Sequence, residues 1–241
     1  MKLQANTLVS DIVAENYNTA AIFSKYKIDF CCNGNRSLAT VTEKKGISLE
    51  EVLADLENQM KTKEDMSALY QSWNIDFLSD YVVETHHAYV EKNIPVIKQY
   101  VDKISKVHGD RHPELLEVRE LFFGSADDLT THMKKEELIL FPFFRKLAKL
   151  KKEGGVYEKP TFGTVENPIE MMHHEHDAEG ERFRKIAELT DNYTPPADGC
   201  TTYRVAFSML KEFEADLHKH IHLENNILFK KGIALEKELA N

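Results

Sequence analysis

Two stretches of the chain share one frame. Residues 132–141 read HMKKEELILF, and residues 220–229 read HIHLENNILF. In each, His stands four residues before Glu, and an apolar run follows that ends in Phe. On a helix, residues four apart lie on one face about one turn apart. His132 therefore points with Glu136, and His220 with Glu224. Imidazole nitrogen beside carboxylate oxygen is a donor set for a transition metal. The apolar register sharpens the point. Leu129, His132, Glu136, Ile139, Phe143 and Leu147 recur at steps of three or four, as a core face does. Leu210, Phe213, Leu217, His220, Glu224 and Leu228 do the same. A carboxylate in a core position is costly unless a cation compensates it.

Each frame has a histidine upstream at matched distance. His87 lies 45 residues before His132, and His176 lies 44 before His220. The chain thus reads as a doubled unit: a helix with one His, a joint, and a helix with His-x3-Glu. Four such helices packed antiparallel bring four His and two Glu to one level. That inventory suits two non-haem iron ions, each taking two imidazoles and sharing two carboxylates, with positions left for water, oxo or a small ligand. Other histidines are weaker candidates. His173 is one turn before His176 and suits a gate or a group supporting a ligand. His108, just before Gly109, suits a surface or ligand-supporting place. His86 points away from His87 on its helix, and His218 and His222 are expected to face solvent.

Cys31 and Cys32 are adjacent, so they do not close on a metal as Cys-x2-Cys does. They read either as spare buried cysteines or as thiols that handle metal, nitric oxide or a disulfide partner. With Cys200 they make three cysteines, too few and too odd for a disulfide framework.

The elements that must position these groups follow from pattern and punctuation. Residues 1–60 predict a small helical domain with Cys31 and Cys32 at an Asn-Gly turn. Asn18 or Thr19 caps its second helix, and Ser48 with Glu51 makes a capping box. A segment of this size is only marginally stable alone and leans on something else. After a connection at 61–73, residues 74–241 predict an up-down-up-down four-helix bundle. The four helices span about 74–107, 112–150, 167–191 and 201–229, and a short amphipathic tail follows. Asn167 is the expected cap of the third helix, with Pro168 in its first turn. Pro95 and Pro142 are expected to kink or cut their helices.

Composition narrows the class. Of 241 residues 29% are charged and 42% hydrophobic, as in a folded soluble chain. The formal net charge of -9 argues against nucleic acid as a partner. No apolar run is long enough to span a membrane, and the first residues lack a secretory pattern. A cytoplasmic monomer or weak homodimer is expected.

Taken together, DFCCNGNRSL, His87, HMKKEELILFP, EHDAEGE, TPPADGCTTY and HIHLENNILF resemble the repair-of-iron-centres family, the YtfE/ScdA-like di-iron proteins. The resemblance covers essentially the whole chain. It implies a small Cys-Cys domain followed by a hemerythrin-like bundle with a non-haem di-iron centre, bridged by oxo or hydroxo. It implies His87, His132, Glu136, His176, His220 and Glu224 as ligands, with Glu136 and Glu224 bridging. It implies an access role for Glu175 and a thiol or nitric-oxide role for Cys31 and Cys32. The implied function is repair of iron-sulfur clusters damaged by nitrosative or oxidative stress, by iron donation to damaged or apo cluster proteins. Nitric oxide or oxygen is the implied small ligand. A di-iron nitric oxide reductase and a nitric oxide or redox sensor stand as alternatives, so catalysis is left open.

Overall fold

The computed structural model describes residues 3–61 and 67–240 and is all-α. Part of the connection expected at 61–73 lies outside the described residues. The chain divides into two compact units, one of Met1–Leu78, Leu147–Glu158 and Ile221–Asn241, the other of Ser79–Lys146 and Lys159–His220.

In the first unit, five short helices precede the long ones: α1 (Val9–Glu15), α2 (Ala20–Lys25), α3 (Leu38–Lys45), α4 (Leu49–Gln59) and α5 (Ser67–Ser72). Val9, Ile12, Val13, Phe23, Leu38, Val41, Val52 and Leu56 form their buried apolar face. Ser48 accepts a hydrogen bond from the Glu51 backbone, the expected cap of α4. Before α2, the capping side chain is Asn16, which accepts from the Asn18 backbone. The unit also holds the last stretch of the chain. Lys231 donates to the Gln71 and Trp73 carbonyls at 2.7 and 2.9 Å, and Asn225 donates to the Cys31 carbonyl at 3.1 Å. The N-terminal helices thus lean on the chain's last helix, as their small size demands.

The four long helices are α6 (75–108), α7 (114–153), α8 (Glu166–Leu189) and α9 (201–240), the hemerythrin-like four-helix bundle. In the second unit Val90, Ile97 and Val101 of α6 and Leu115, Val118, Phe122 and Leu129 of α7 are buried. With them are buried Phe183 and Ile186 of α8, and Phe207, Leu210, Phe213 and Leu217 of α9. α9 continues through the stretch expected to be a separate tail. α8 begins at Glu166, so Asn167 is not its cap; the Asn167 amide donates to the Phe162 carbonyl instead.

Three of these helices contain a π-helical turn, at Val83–His87, Glu136–Leu140 and Glu224–Leu228. In each, the next backbone N–H reaches back five residues: Ala88 to Val83, Phe141 to Glu136, and Phe229 to Glu224. Such turns insert one residue into the helical count and concentrate at functional sites. The insertion explains a register error. Ile139, expected in the core, is 51% exposed, whereas Leu140 and Phe141 are buried. It also bears on the prolines. Pro142 follows the widened turn directly, and neither it nor Pro95 cuts its helix. Among the described residues no helix is long and apolar enough to cross a membrane.

One polar side chain in the bundle predicts a pH dependence. Burial pushes the Glu214 carboxyl up to about 7, against the Tyr193 hydrogen bond and the Arg184 and Lys211 charges. Between its ordinary value near 4.5 and about 7, the folded chain holds a proton there that the unfolded chain does not. Its contribution to stability is complete at the acid end of that window and is lost as pH rises through it. Glu214→Gln should therefore gain melting temperature relative to the parent as pH climbs from 4.5 to 7.5. Parallel melting curves across that range check this, and a pH-independent difference would contradict it.

Candidate metal centre

His87 and His176 are 1% exposed, His132 3%, His220 1%, and Glu136 and Glu224 0%. Burial of six ionisable or polar side chains is unusual, and their atoms converge. The ligand atoms of His87, Glu136 and His220 lie within 4.8 Å of one another, as do those of His132, Glu136 and His176. Glu136 belongs to both groups. Glu224 lies one turn beyond His220 on the same unbroken helix and is fully buried.

The separations fit a metal. Nε2 of His132 and Nε2 of His176 face each other at 3.0 Å. Two imidazoles bound side by side on one ion, at about 2.1 Å per bond and a right angle, have nitrogens about 3.0 Å apart. Glu136 Oε2 lies 3.3 Å from His87 Nε2 and 3.4 Å from His132 Nε2. One carboxylate thus reaches a histidine of each group, the position a bridge between two ions requires. The π turns place it there, since Glu136 and Glu224 each open one and His87 closes the third.

A further layer of carboxylates sets the rings. Glu137 Oε1 is 2.9 Å from His87 Nδ1, and Glu175 Oε2 is 2.8 Å from His132 Nδ1. A carboxylate on Nδ1 holds the proton there and turns the Nε2 lone pair toward the centre. Lys134 donates to Glu137 at 2.7 Å, and Lys135 donates to Glu175. The hydrogen bond from His132 is the main cause that holds Glu175 down to about 2, with burial opposing and Lys135 assisting. Burial works against ionised Glu137 too, but the Lys134 and His87 hydrogen bonds still keep it below the usual carboxylate range. Sequence reasoning marked Glu175 as an access residue and missed Glu137 altogether; the pattern Lys-Lys-Glu-Glu at 134–137 was the available signal. It also passed over His86, which is buried, bonds Asp216 through Nδ1 at 3.0 Å and stacks on His220 with ring centres 5.5 Å apart. Removing a group that orients a ligand costs metal affinity about 10- to 100-fold. Glu175→Ala should weaken metal binding by that factor in a chelator competition, with the fold unchanged by circular dichroism.

Other expected site residues lie elsewhere. His173 is half-buried and belongs to neither donor group. His108 ends α6, 21 residues beyond His87, and its Nε2 meets Cys200 Sγ at 3.3 Å. The Tyr203 backbone N–H first, and then His108, draw the exposed Cys200 thiol down to about 7. His222, expected in solvent, is 1% exposed: its ring lies 5.3 Å from Tyr17, and Nδ1 meets the Asn226 amide at 2.9 Å. Solvent exposure failed there because the N-terminal segment covers that face of α9 within the first unit.

Cys31 is buried and Cys32 half-buried, and neither is in a disulfide. The hydrogen bond with Cys32 is the main cause that raises the Cys31 thiol well above its ordinary value, with burial and the Asp29 charge adding to it. Adjacent cysteines do not close on a metal as Cys-x2-Cys does, but the carboxylate of Asp29, a residue the sequence did not single out, joins both thiols in a third donor group within 4.8 Å.

Residues 5–60 match the family model ScdA_N, described as Domain of Unknown function (DUF542). Residues 78–231 match the Hemerythrin HHE cation binding domain. Among curated relatives, the Iron-sulfur cluster repair protein YtfE of Musicola paradisiaca is 33% identical over 221 residues, 88% of this chain and 90% of the relative. The YtfE protein of Dickeya chrysanthemi is 32% identical over 216 residues, 88% of this chain and 90% of the relative. The Iron-sulfur cluster repair protein ScdA of Staphylococcus haemolyticus is 28% identical over 225 residues, 93% of this chain and 97% of the relative. Fold, buried His/Glu groups and full-length similarity agree, and the chain belongs to the ScdA/YtfE-like family of iron-sulfur cluster repair proteins with a hemerythrin-like domain.

Proposed function

We propose that this protein holds two non-haem iron ions and donates iron to iron-sulfur proteins whose clusters nitric oxide or oxidants have damaged. The observation that carries the reading is the buried Glu136 carboxylate, set within 3.4 Å of a histidine from each of the two donor groups. His87 and His220 would hold one ion and His132 and His176 the other, with Glu136 and Glu224 offering carboxylate oxygens to both. The names of the relatives supply the process, and the donor set supplies a reason for it. Each carboxylate used in place of an imidazole adds negative charge beside the ions and favours the ferric state. Bound iron supplies Lewis acidity and one-electron redox capacity toward a small ligand such as nitric oxide or oxygen.

The chain's own groups do the rest. Ionised Glu137 and Glu175 keep the Nδ1 protons of His87 and His132 in place, so the opposite nitrogens stay aimed inward. Lys134 and Lys135 hold those carboxylates in turn. Protons compete with metal for imidazole and carboxylate, so protonation of the ligands loosens the ions for delivery. Cytoplasmic work is part of this reading, since a reducing compartment keeps thiols such as Cys31, Cys32 and Cys200 free.

The test is delivery. Protein loaded anaerobically with labelled ferrous iron is mixed with an apo iron-sulfur protein, sulfide, a thiol reductant and a chelator that captures free ferrous iron. Donation predicts faster cluster assembly than the same quantity of free iron gives. Equal rates would count against it. Sustained conversion of nitric oxide to nitrous oxide would instead assign an enzymatic role.

A further inference from the structure

We propose that Asp29, Cys31 and Cys32 form a second metal site, separate from the His/Glu centre, that takes one thiophilic divalent cation of the zinc or ferrous class. The argument begins with distance. Cys31 Sγ lies 3.4 Å from Cys32 Sγ and 3.6 Å from Asp29 Oδ1. A tetrahedral ion with metal–sulfur bonds of about 2.3 Å holds two sulfurs about 3.8 Å apart. An oxygen bound at about 2.1 Å sits about 3.6 Å from each sulfur. The thiols therefore need to open by only a few tenths of an ångström.

A disulfide asks for the opposite movement. It needs sulfurs about 2.05 Å apart on Cα atoms at least about 4.4 Å apart. The trans peptide between Cys31 and Cys32 fixes their Cα atoms about 3.8 Å apart. Metal binding fits this backbone better than an internal disulfide does.

The loop is already built. Asp29 Oδ1 accepts the Cys32 backbone N–H at 3.0 Å, and Oδ2 accepts the Asn33 amide at 2.8 Å. Ser10 and Val9 of α1 donate backbone N–H groups to the Gly34 and Arg36 carbonyls at 2.7 and 3.0 Å. A Cβ on Gly34 would come within 2.5 Å of the Phe30 carbonyl oxygen, so only glycine allows this turn. From the other side, Asn225 anchors the Cys31 carbonyl. Three donors gathered on a fixed loop lower the ordering cost of binding. Two thiolates select a thiophilic ion over magnesium or calcium. Three protein ligands leave a fourth position open, which suits an ion that exchanges. The half-buried Cys32 gives access.

The experiment uses the full chain with its iron in place, reduced and freed of reductant, titrated with cobalt(II). We expect one equivalent to bind with a thiolate-to-cobalt charge-transfer band in the near ultraviolet. Cys31→Ser and Cys32→Ser should each cut the band by at least half, the double variant should abolish it, and Asp29→Asn should weaken binding at least ten-fold. Iron content and helicity should hold in all three. Cys32 is only half-buried, so Cys32→Ser decides the matter if Cys31→Ser folds poorly. Absence of the band, its survival at full strength in Cys32→Ser, or its loss in Cys200→Ser would overturn the assignment, as would unchanged affinity in Asp29→Asn. Failure here leaves the His/Glu centre untouched, because iron is counted separately.

Discussion

Glu136→Ala is expected to cut bound iron from two ions per chain to fewer than one and to erase magnetic coupling between them. Glu136 is a donor shared by the group containing His87 and the group containing His132. Loss of any one histidine weakens one ion, whereas loss of Glu136 weakens both and removes one of the carboxylates that link them. The effect should also appear as stability. A ligand present at about 1,000 times its dissociation constant stabilises the folded state by about 4 kcal/mol. For a chain of this size that corresponds to a melting shift of about 8–16 °C between loaded and stripped protein. In Glu136→Ala the gap should close to a few degrees. Paired melting curves with iron analysis check both parts. A variant that keeps two coupled ions and the full gap would show that Glu136 does not bridge.

The second large effect concerns the scaffold. Phe213 sits in an aromatic cluster, its ring 5.5 Å from Phe122 and 5.6 Å from Phe183, and all three are buried. Phe213→Ala should cost about 3–5 kcal/mol through lost burial and the cavity left behind. The melting temperature should fall by about 6–20 °C. Phe213 lies seven residues before His220 on α9, two turns from the ligands. Protein that stays folded at low temperature should still carry two coupled ions. The two substitutions thus separate packing from chemistry: one lowers the melting temperature and spares the iron, the other removes the iron and its stabilisation. If Phe213→Ala lost iron at temperatures where it is fully folded, the bundle and the centre would not be separable in this way.

What the sequence made legible was the repeated frame. A helix has one period, so His132 with Glu136 and His220 with Glu224 had to share faces, and their place in the apolar register put them inside. What it concealed came from departures from that period and from side chains that meet across helices. The π turn at Glu136–Leu140 shifts the count by one, so Ile139 turns outward where regular spacing puts it in. Glu137 meets His87 across 50 residues of chain, a contact that no local pattern encodes. His222 carries no mark of its burial, because the covering Tyr17 lies some two hundred residues earlier. Asp29 was hidden for a different reason. Its spacing to Cys31 and Cys32 was visible, but only the fold of the loop turns its carboxylate back onto the thiols. His108 reads from its place at a helix end as a surface or ligand-supporting residue, and its partner is Cys200.

A pair of linked irons enclosed by side chains from four helices would carry a distinct magnetic signature. Iron analysis combined with Mössbauer spectroscopy of the aerobically purified protein tests it most directly. Two irons per chain and a coupled ferric pair with a diamagnetic ground state are expected. One iron per chain, isolated high-spin ferric ions without coupling, or another metal filling the centre would contradict this.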